Sequence, residues 1–240
     1  MLQADRERRM TMQEKRQEYT FRLRFERKGA IVYTGHLDLM RAFERTLRRA
    51  EIPVMYSRGY NPRPLMVFAL PLGVGIATVD DYADVSLRDP IDTNELVRLF
   101  NLKSPPGLRA ISVRDVTGEK ASIMSLVSAA SYRLEGPGIG QAIRNIAKLE
   151  RIPAIKHAKG KETQTDLRPL LFETDTPEGR DGPVEILVKA GSAGNLRPDL
   201  LLSACVEFSL LDQRTAQNTE VTRTGLFGGK YPDLTRLGEL

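Results

Sequence analysis

From Tyr19 to Glu26 apolar and polar residues alternate without a break. Tyr19, Phe21, Leu23 and Phe25 fall on one face of an extended chain, and Thr20, Arg22, Arg24 and Glu26 on the other. The pattern predicts a half-buried strand with a basic outer face. Ile31 to Tyr33 is then a short apolar run, and Thr34 or Gly35 can open a helix over His36 to Glu51. Leu39, Met40, Phe43, Leu47 and Ala50 form its apolar side; Arg41, Arg45, Arg48 and Arg49 form a stripe on the opposite side. Four arginines without a lysine suit forked phosphate contacts, although a solvated face has the same look.

The rest of the first half continues the alternation of element types. Leu65, Val67, Ala69 and Leu70 read as a buried strand, and Tyr82 to Leu87 as another, entered through the acidic VDDY. Asp92 and Glu95 have the spacing of a capping box, so a short helix is expected over Thr93 to Phe100. Pro105, Pro106 and Gly107 turn the chain into a strand near Leu108 to Val113. Strand, helix, strand, strand, helix, strand is the split βαβ unit of ferredoxin-like domains, an antiparallel sheet with both helices on one face.

The second half repeats that order. A strand is expected over Ala130 to Glu135 and a helix over Ile139 to Arg151. Arg144, Lys148 and Arg151 sit at the same offsets as Arg41, Arg45 and Arg48. A polar loop (KGKETQT), strands near Leu167 to Thr174 and Val184 to Lys189, a helix from Pro198 and a strand near Glu220 to Phe227 complete it. The predicted fold class is α+β, two tandem ferredoxin-like (βαββαβ) domains. Its boundaries are a charged arm at 1–17, a first domain at 18–116, a linker at 117–127, a second domain at 128–230 and a tail at 231–240.

Between the first helix and the VDDY strand lies YSRGYNPRPLMVFALPLGVG, residues 56–75. Gly59 can take positive φ, Pro62 and Pro64 fix their own φ, and each proline holds the residue before it extended. From that stiff, non-helical segment Arg58 and Arg63 can project guanidinium groups, Tyr56 and Tyr60 ring faces, and Asn61 an amide. Such groups grip phosphates and unstacked bases. A connector whose tyrosines seal a core would also use this turn chemistry.

The charge balance agrees with a polyanionic partner. Lys and Arg number 36 against 31 Asp and Glu, a net +5, and residues 1–50 hold 13 of those cations against 7 acids. Cys205 is the single cysteine and His36 and His157 the only histidines. An intrachain disulfide and a cysteine-rich metal or iron–sulfur site are therefore excluded, and no metal or cofactor is expected. No apolar run approaches the ~18 residues of a membrane span, and the N-terminus has no apolar signal core. A cytoplasmic location is expected.

TGHLDLMRAFERTLRRA followed by YSRGYNPRPLMVFALPLGVG, with DYADV (81–85 within VDDYADV), DLRPLL (166–171), GNLRPDLL (194–201) and TRTGLF (222–227), resembles the bacterial radical-SAM-linked protein family of unknown function. That domain occurs alone or C-terminal to a radical SAM enzyme. The resemblance covers nearly the whole chain and implies partnership with a radical SAM enzyme. A C-x-x-x-C-x-x-C motif needs three thiolates, so that enzyme would be a separate chain. Family context also implies RNA processing or ribosome-linked work.

Two catalytic candidates remain. His36, at a helix start beside Asp38, could act as general acid/base in RNA cleavage, or simply cap the helix. Asp166, next to Arg168, could serve as the single aspartate of a pseudouridine synthase, but the surrounding synthase motif is absent. GVG at 73–75 lacks the Gly-Lys-Ser/Thr of a phosphate loop. Arg168 and Arg197, each before a proline, offer either a second anionic contact or a turn cap. The expected function is a non-catalytic or weakly catalytic RNA-binding module for structured RNA such as transfer or ribosomal RNA, without DNA sequence specificity. Arg41, Arg45, Arg48, Arg58 and Arg63 would contact phosphates, Tyr60 would stack, and Asn61 and His36 would bond a base or sugar. A protein adaptor for the radical SAM enzyme and a metal-independent ribonuclease using His36 are the alternatives.

Overall fold

A computed structural model describes residues 18–158, 161–176 and 182–240. The arm expected at 1–17 lies outside them. The described chain is α+β: six α-helices and one nine-stranded, mostly antiparallel sheet, with a separate two-stranded hairpin.

Alternation makes β1 (Tyr19–Arg27) the centre of the first half, with β4 (Leu108–Asp115) antiparallel on one edge and β3 (Ile76–Leu87) antiparallel on the other. The short β2 (Met66–Phe68) pairs antiparallel with the end of β3, Phe68 opposite Ala83. That register turns Phe68 inward and leaves Val67 exposed, so of the expected buried run Ala69 and Leu70 are buried and Val67 is not. β3 begins six residues earlier than expected, because its acidic entry is buried and paired, as described below.

Helix α1 (His36–Arg49) and α2 (Thr93–Lys103) follow their apolar stripes onto the sheet. Phe43 meets Phe25 and Phe68 edge-on, with ring centroids 4.9 and 4.8 Å apart. Each such fully buried ring contributes about 1.5–3 kcal/mol. Asp92 caps α2 by accepting the Asn94 and Glu95 N–H groups, both at 3.0 Å, while Glu95 turns away to Arg98. Half of the expected capping box therefore forms.

In the second half β5 (Ala129–Glu135) lies between β9 (Val184–Lys189) and β10 (Glu220–Lys230), and β8 (Leu171–Asp175) edges β9, all antiparallel. The stretch expected as a linker holds the short α3 (Ile123–Leu126), whose Ile123 is fully buried. Helix α4 (Ile139–Ala147) ends four residues sooner than expected. Lys148 is its cap and Arg151 lies beyond it, so the arginine spacing seen in α1 is not repeated on one helical face. Of the loop expected at KGKETQT, residues 159–160 lie outside the described residues and 161–165 are instead part of a strand, β7 (Lys161–Asp166), paired with β6 (Pro153–Ala158). A 3-10 turn over Arg168–Leu170 precedes β8. Helix α5 (Pro198–Glu207) starts on its proline as expected, α6 (Gln213–Asn218) follows, and β11 (Asp233–Arg236) folds back on β10 from within the expected tail.

The halves join where β10 runs parallel to the start of β3, with Val221, Thr222 and Arg223 opposite Ile76, Ala77 and Thr78. The full order is β4-β1-β3-β10-β5-β9-β8. Ala69, Leu70 and Tyr82, from the first half, pack into the second half's core.

Candidate nucleic-acid interface

The proline-rich stretch forms a tongue. At its base Met55 N–H donates to Ser86 O and Leu65 N–H to Met55 O, both at 2.8 Å. Further out, Ser57 N–H donates to Arg63 O at 2.8 Å, and Arg63 N–H to Ser57 Oγ at 3.0 Å. These bonds close the two arms, with Tyr56 bridging Pro64, and Gly59 turns the tip at φ 131°. Arg58, Tyr60, Asn61 and Arg63 are all exposed, Tyr60 completely. Among the described residues no carboxylate pairs with Arg58 or Arg63.

The C-terminal end of α1 runs directly into this tongue: Val54 bridges Leu87, and Arg88 N–H donates to Pro53 O at 2.8 Å. Arg45 and Arg48 are exposed and, among the described residues, without an acidic partner. Arg41 is exposed too but pairs with Asp38 at 2.9 Å. Arg49 donates to Lys103 O at 2.6 Å, tying α1 to the end of α2.

His36 stands at the other end of α1, about 18 Å along the axis from Arg48 at 1.5 Å per residue. Its ring meets Phe68 edge-on at 5.4 Å, and its buried Nδ1 has no hydrogen-bond partner among the described residues. Burial lowers its pKa, and Arg27 and Arg223 lower it further, so the neutral imidazole is favoured. Asp38 is committed to Arg41 and does not orient the ring. Asp166 accepts the Ile152 N–H at 2.8 Å and the Arg168 N–H at 3.0 Å; these bonds, with Arg151 3.7 Å away, hold its carboxyl below the usual range. Arg168 donates to Leu171 O at 2.8 Å, the turn-capping arrangement.

Sequence reasoning missed the groups at the seam. Asp80 and Asp81 are both 1% exposed, and as neighbours on a strand they point to opposite faces. Asp80 accepts from Arg24 on β1 and Arg236 on β11, each at 2.7 Å. Asp81 pairs with Arg223 on β10, which also donates to Leu70 O at 2.8 Å. Burial alone would lower the Arg223 pKa, but Asp81 and Tyr132 carry it above its ordinary value. Arg27, wholly buried, donates to Thr34 O, Gly73 O and Ile76 O, and desolvation brings its pKa to about 10. The basic outer face expected for β1 is likewise neutralised: Arg22 is buried and pairs with Asp84 at 2.8 Å and Glu119 at 3.1 Å. The available signal was the pair of adjacent acids in an otherwise apolar strand, which calls for cations from elsewhere in the chain.

Beside this seam a cleft of about 350 Å³ opens between the loop at 70–76 and residues 195–199, with Tyr132 and Arg223 in its lining. Arg197 and Asp199 pair with each other on the 195–199 side of it.

A solvent-facing basic tongue on one mixed, mostly antiparallel sheet defines the class: an α+β protein with an exposed cationic loop. Within that class the chain belongs to DUF2344, a family described as an uncharacterized protein conserved in bacteria, whose model matches residues 20–198. No curated protein matches the chain. Among the described residues no helix is long and apolar enough to cross a membrane.

Proposed function

We propose that this protein is an RNA-binding accessory module for structured RNA, such as transfer or ribosomal RNA, acting with a separate radical SAM enzyme in the cytoplasm. The observation that carries the reading is the tongue, where Tyr60 stands fully exposed between two exposed arginines that no carboxylate neutralises among the described residues. Arg58 and Arg63 hold phosphates, Tyr60 stacks on an unpaired base, Asn61 bonds its edge, and Arg45 and Arg48 extend the contact along α1. The two halves act as ferredoxin-like units. Support for this comes from the strand orders β4-β1-β3-β2 and β10-β5-β9-β8, which match each other in connection and direction.

A second reading, a protein adaptor for the radical SAM enzyme, is favoured by one feature. Tyr33, Leu37 and Val74 are exposed apolar residues, and Gly75 N–H donates to Val32 O at 2.7 Å, drawing two of them together. Ultraviolet crosslinking in cells, followed by sequencing of copurified RNA and mapping of the crosslinked peptide, decides between them. The RNA reading expects a defined RNA species attached at Tyr60 or its neighbours. Absence of RNA, or crosslinks spread evenly over the surface, would reject it.

A further inference from the structure

The seam places two guanidinium groups, Arg27 and Arg223, in the interior with one carboxylate, Asp81, to oppose them. His36 close by has its pKa lowered by burial and, further, by the same two cations, which favours the neutral ring. The pair Arg197–Asp199 cancels itself. Among the described residues one positive charge at the seam therefore lacks a counter-ion, and an isolated interior charge is costly. The cleft reaches this pair of cations at Arg223. Arg223, 1% exposed, lines the cleft, and its Nε–H has no acceptor among the described residues. Asn195, also in the lining, has a buried Oδ1 without a donor among the described residues. The remaining lining from the 70–76 loop is apolar, supplied by Leu72, Val74 and Ile76 among others. At about 350 Å³ the volume falls within the range of ~300–1,000 Å³ usual for small-ligand pockets.

We propose that the cleft between loop 70–76 and residues 195–199 binds a small organic carboxylate that carries a neighbouring hydroxyl or N–H group and an apolar body. The carboxylate sits against Arg223 and supplies the missing unit of negative charge. Its neighbouring donor satisfies Asn195 Oδ1, and the apolar body lies along Leu72, Val74 and Ile76. A monoanion matches the single uncompensated charge, whereas a phosphate monoester brings about −1.5 to −2. This site is separate from the tongue and stands or falls independently of RNA binding. Its walls come from PLGVG, GNLRPDLL and TRTGLF, three of the stretches that made the sequence distinctive.

The test is a titration of the full chain by proton–nitrogen correlation spectra with four probes: mandelate, phenylacetate, mandelamide and inorganic phosphate. Mandelate is expected to give saturable shifts confined to amides of residues 72–76 and 195–199. Phenylacetate, without the hydroxyl, binds more weakly. Mandelamide, without the charge, binds about ten- to hundredfold more weakly, as loss of a charged hydrogen bond implies. In Asn195→Ala, whose side chain is half-buried at the cleft wall, mandelate affinity falls to that of phenylacetate in the parent. The proposal is overturned if no acid gives saturable shifts, if mandelamide equals mandelate, if the shifts lie elsewhere, or if phosphate displaces mandelate from the cleft.

Discussion

Replacing Asp81 by alanine is the sharpest perturbation of the seam. In the parent, Asp81 and Arg223 are each 1% exposed and paired, and Arg27 is fully buried nearby. The substitution leaves two interior guanidinium groups with no carboxylate facing them, and it loosens β10 from β3, which three ladder pairs link. Breaking a buried pair from one side costs about 3–5 kcal/mol, a fifth or more of the ~5–15 kcal/mol that stabilises an ordinary domain. In equilibrium urea unfolding the midpoint falls by about 1–2.5 M for a slope near 2–3 kcal/mol/M. Asp38→Ala is the control, since Asp38 and Arg41 pair in solvent and such pairs contribute about 0–1 kcal/mol. A second comparison is Asp81→Asn with Arg223→Met, which removes both charges of the pair and recovers part of the loss. A cost below about 1 kcal/mol for Asp81→Ala, comparable with the Asp38 control, would refute the claim that this pair clamps the two halves.

Three further outcomes follow from individual groups. Tyr60→Ala weakens RNA binding by about 1–3 kcal/mol, the usual loss for a stacking ring, in a fluorescence anisotropy titration. The unfolding midpoint stays unchanged, because the ring touches no core; a shifted midpoint would assign it a structural role. His36 has its folded pKa lowered by burial and by Arg27 and Arg223, so the unfolded chain binds its proton first as pH drops. Stability is therefore full above the unfolded pKa near 6.5 and declines as pH falls from there toward the folded value. His36→Leu flattens that part of a melting temperature against pH profile, and an unaltered slope contradicts the assignment. At Gly107, with φ 85°, an added Cβ would lie 2.1 Å from Lys28 O. Gly107→Ala accordingly costs at least about 1–3 kcal/mol, read from chemical denaturation, and a neutral result means the turn can relax.

Local pattern carried much of the architecture. The alternation at β1, the apolar stripe of α1, the cap at Asp92 and the start of α5 at Pro198 are decided by neighbours within a few residues, and all appear where the sequence places them. Contacts made across the chain were not legible. The acids at the start of β3 look like a solvated loop until Arg24, Arg223 and Arg236 arrive from 56, 142 and 156 residues away. Arg22 reads as a surface cation for the same reason, although Asp84 and Glu119 enclose it. The β6–β7 hairpin is too polar to show a buried face, and β11 is too short to announce itself against its glycine-rich partner. Within the candidate interface, the prolines that stiffen the tongue were visible in the composition of the segment, whereas the exposure of Tyr60 was not, since a tyrosine sealing the core fits the same turn chemistry. The separation of His36 from the tongue was not, because it depends on which end of α1 the tongue leaves.

The central claim is that the tongue's cations meet phosphates, and salt dependence tests it most directly. Association with a structured RNA is measured between about 50 and 200 mM salt for the parent and for Arg58→Ala with Arg63→Ala, and log K is plotted against log salt. The account predicts a steep negative slope in the parent and a slope shallower by about 1.5–2 in the double variant, with weaker binding across unrelated sequences. A parent slope near zero, or one identical in the two proteins, contradicts it.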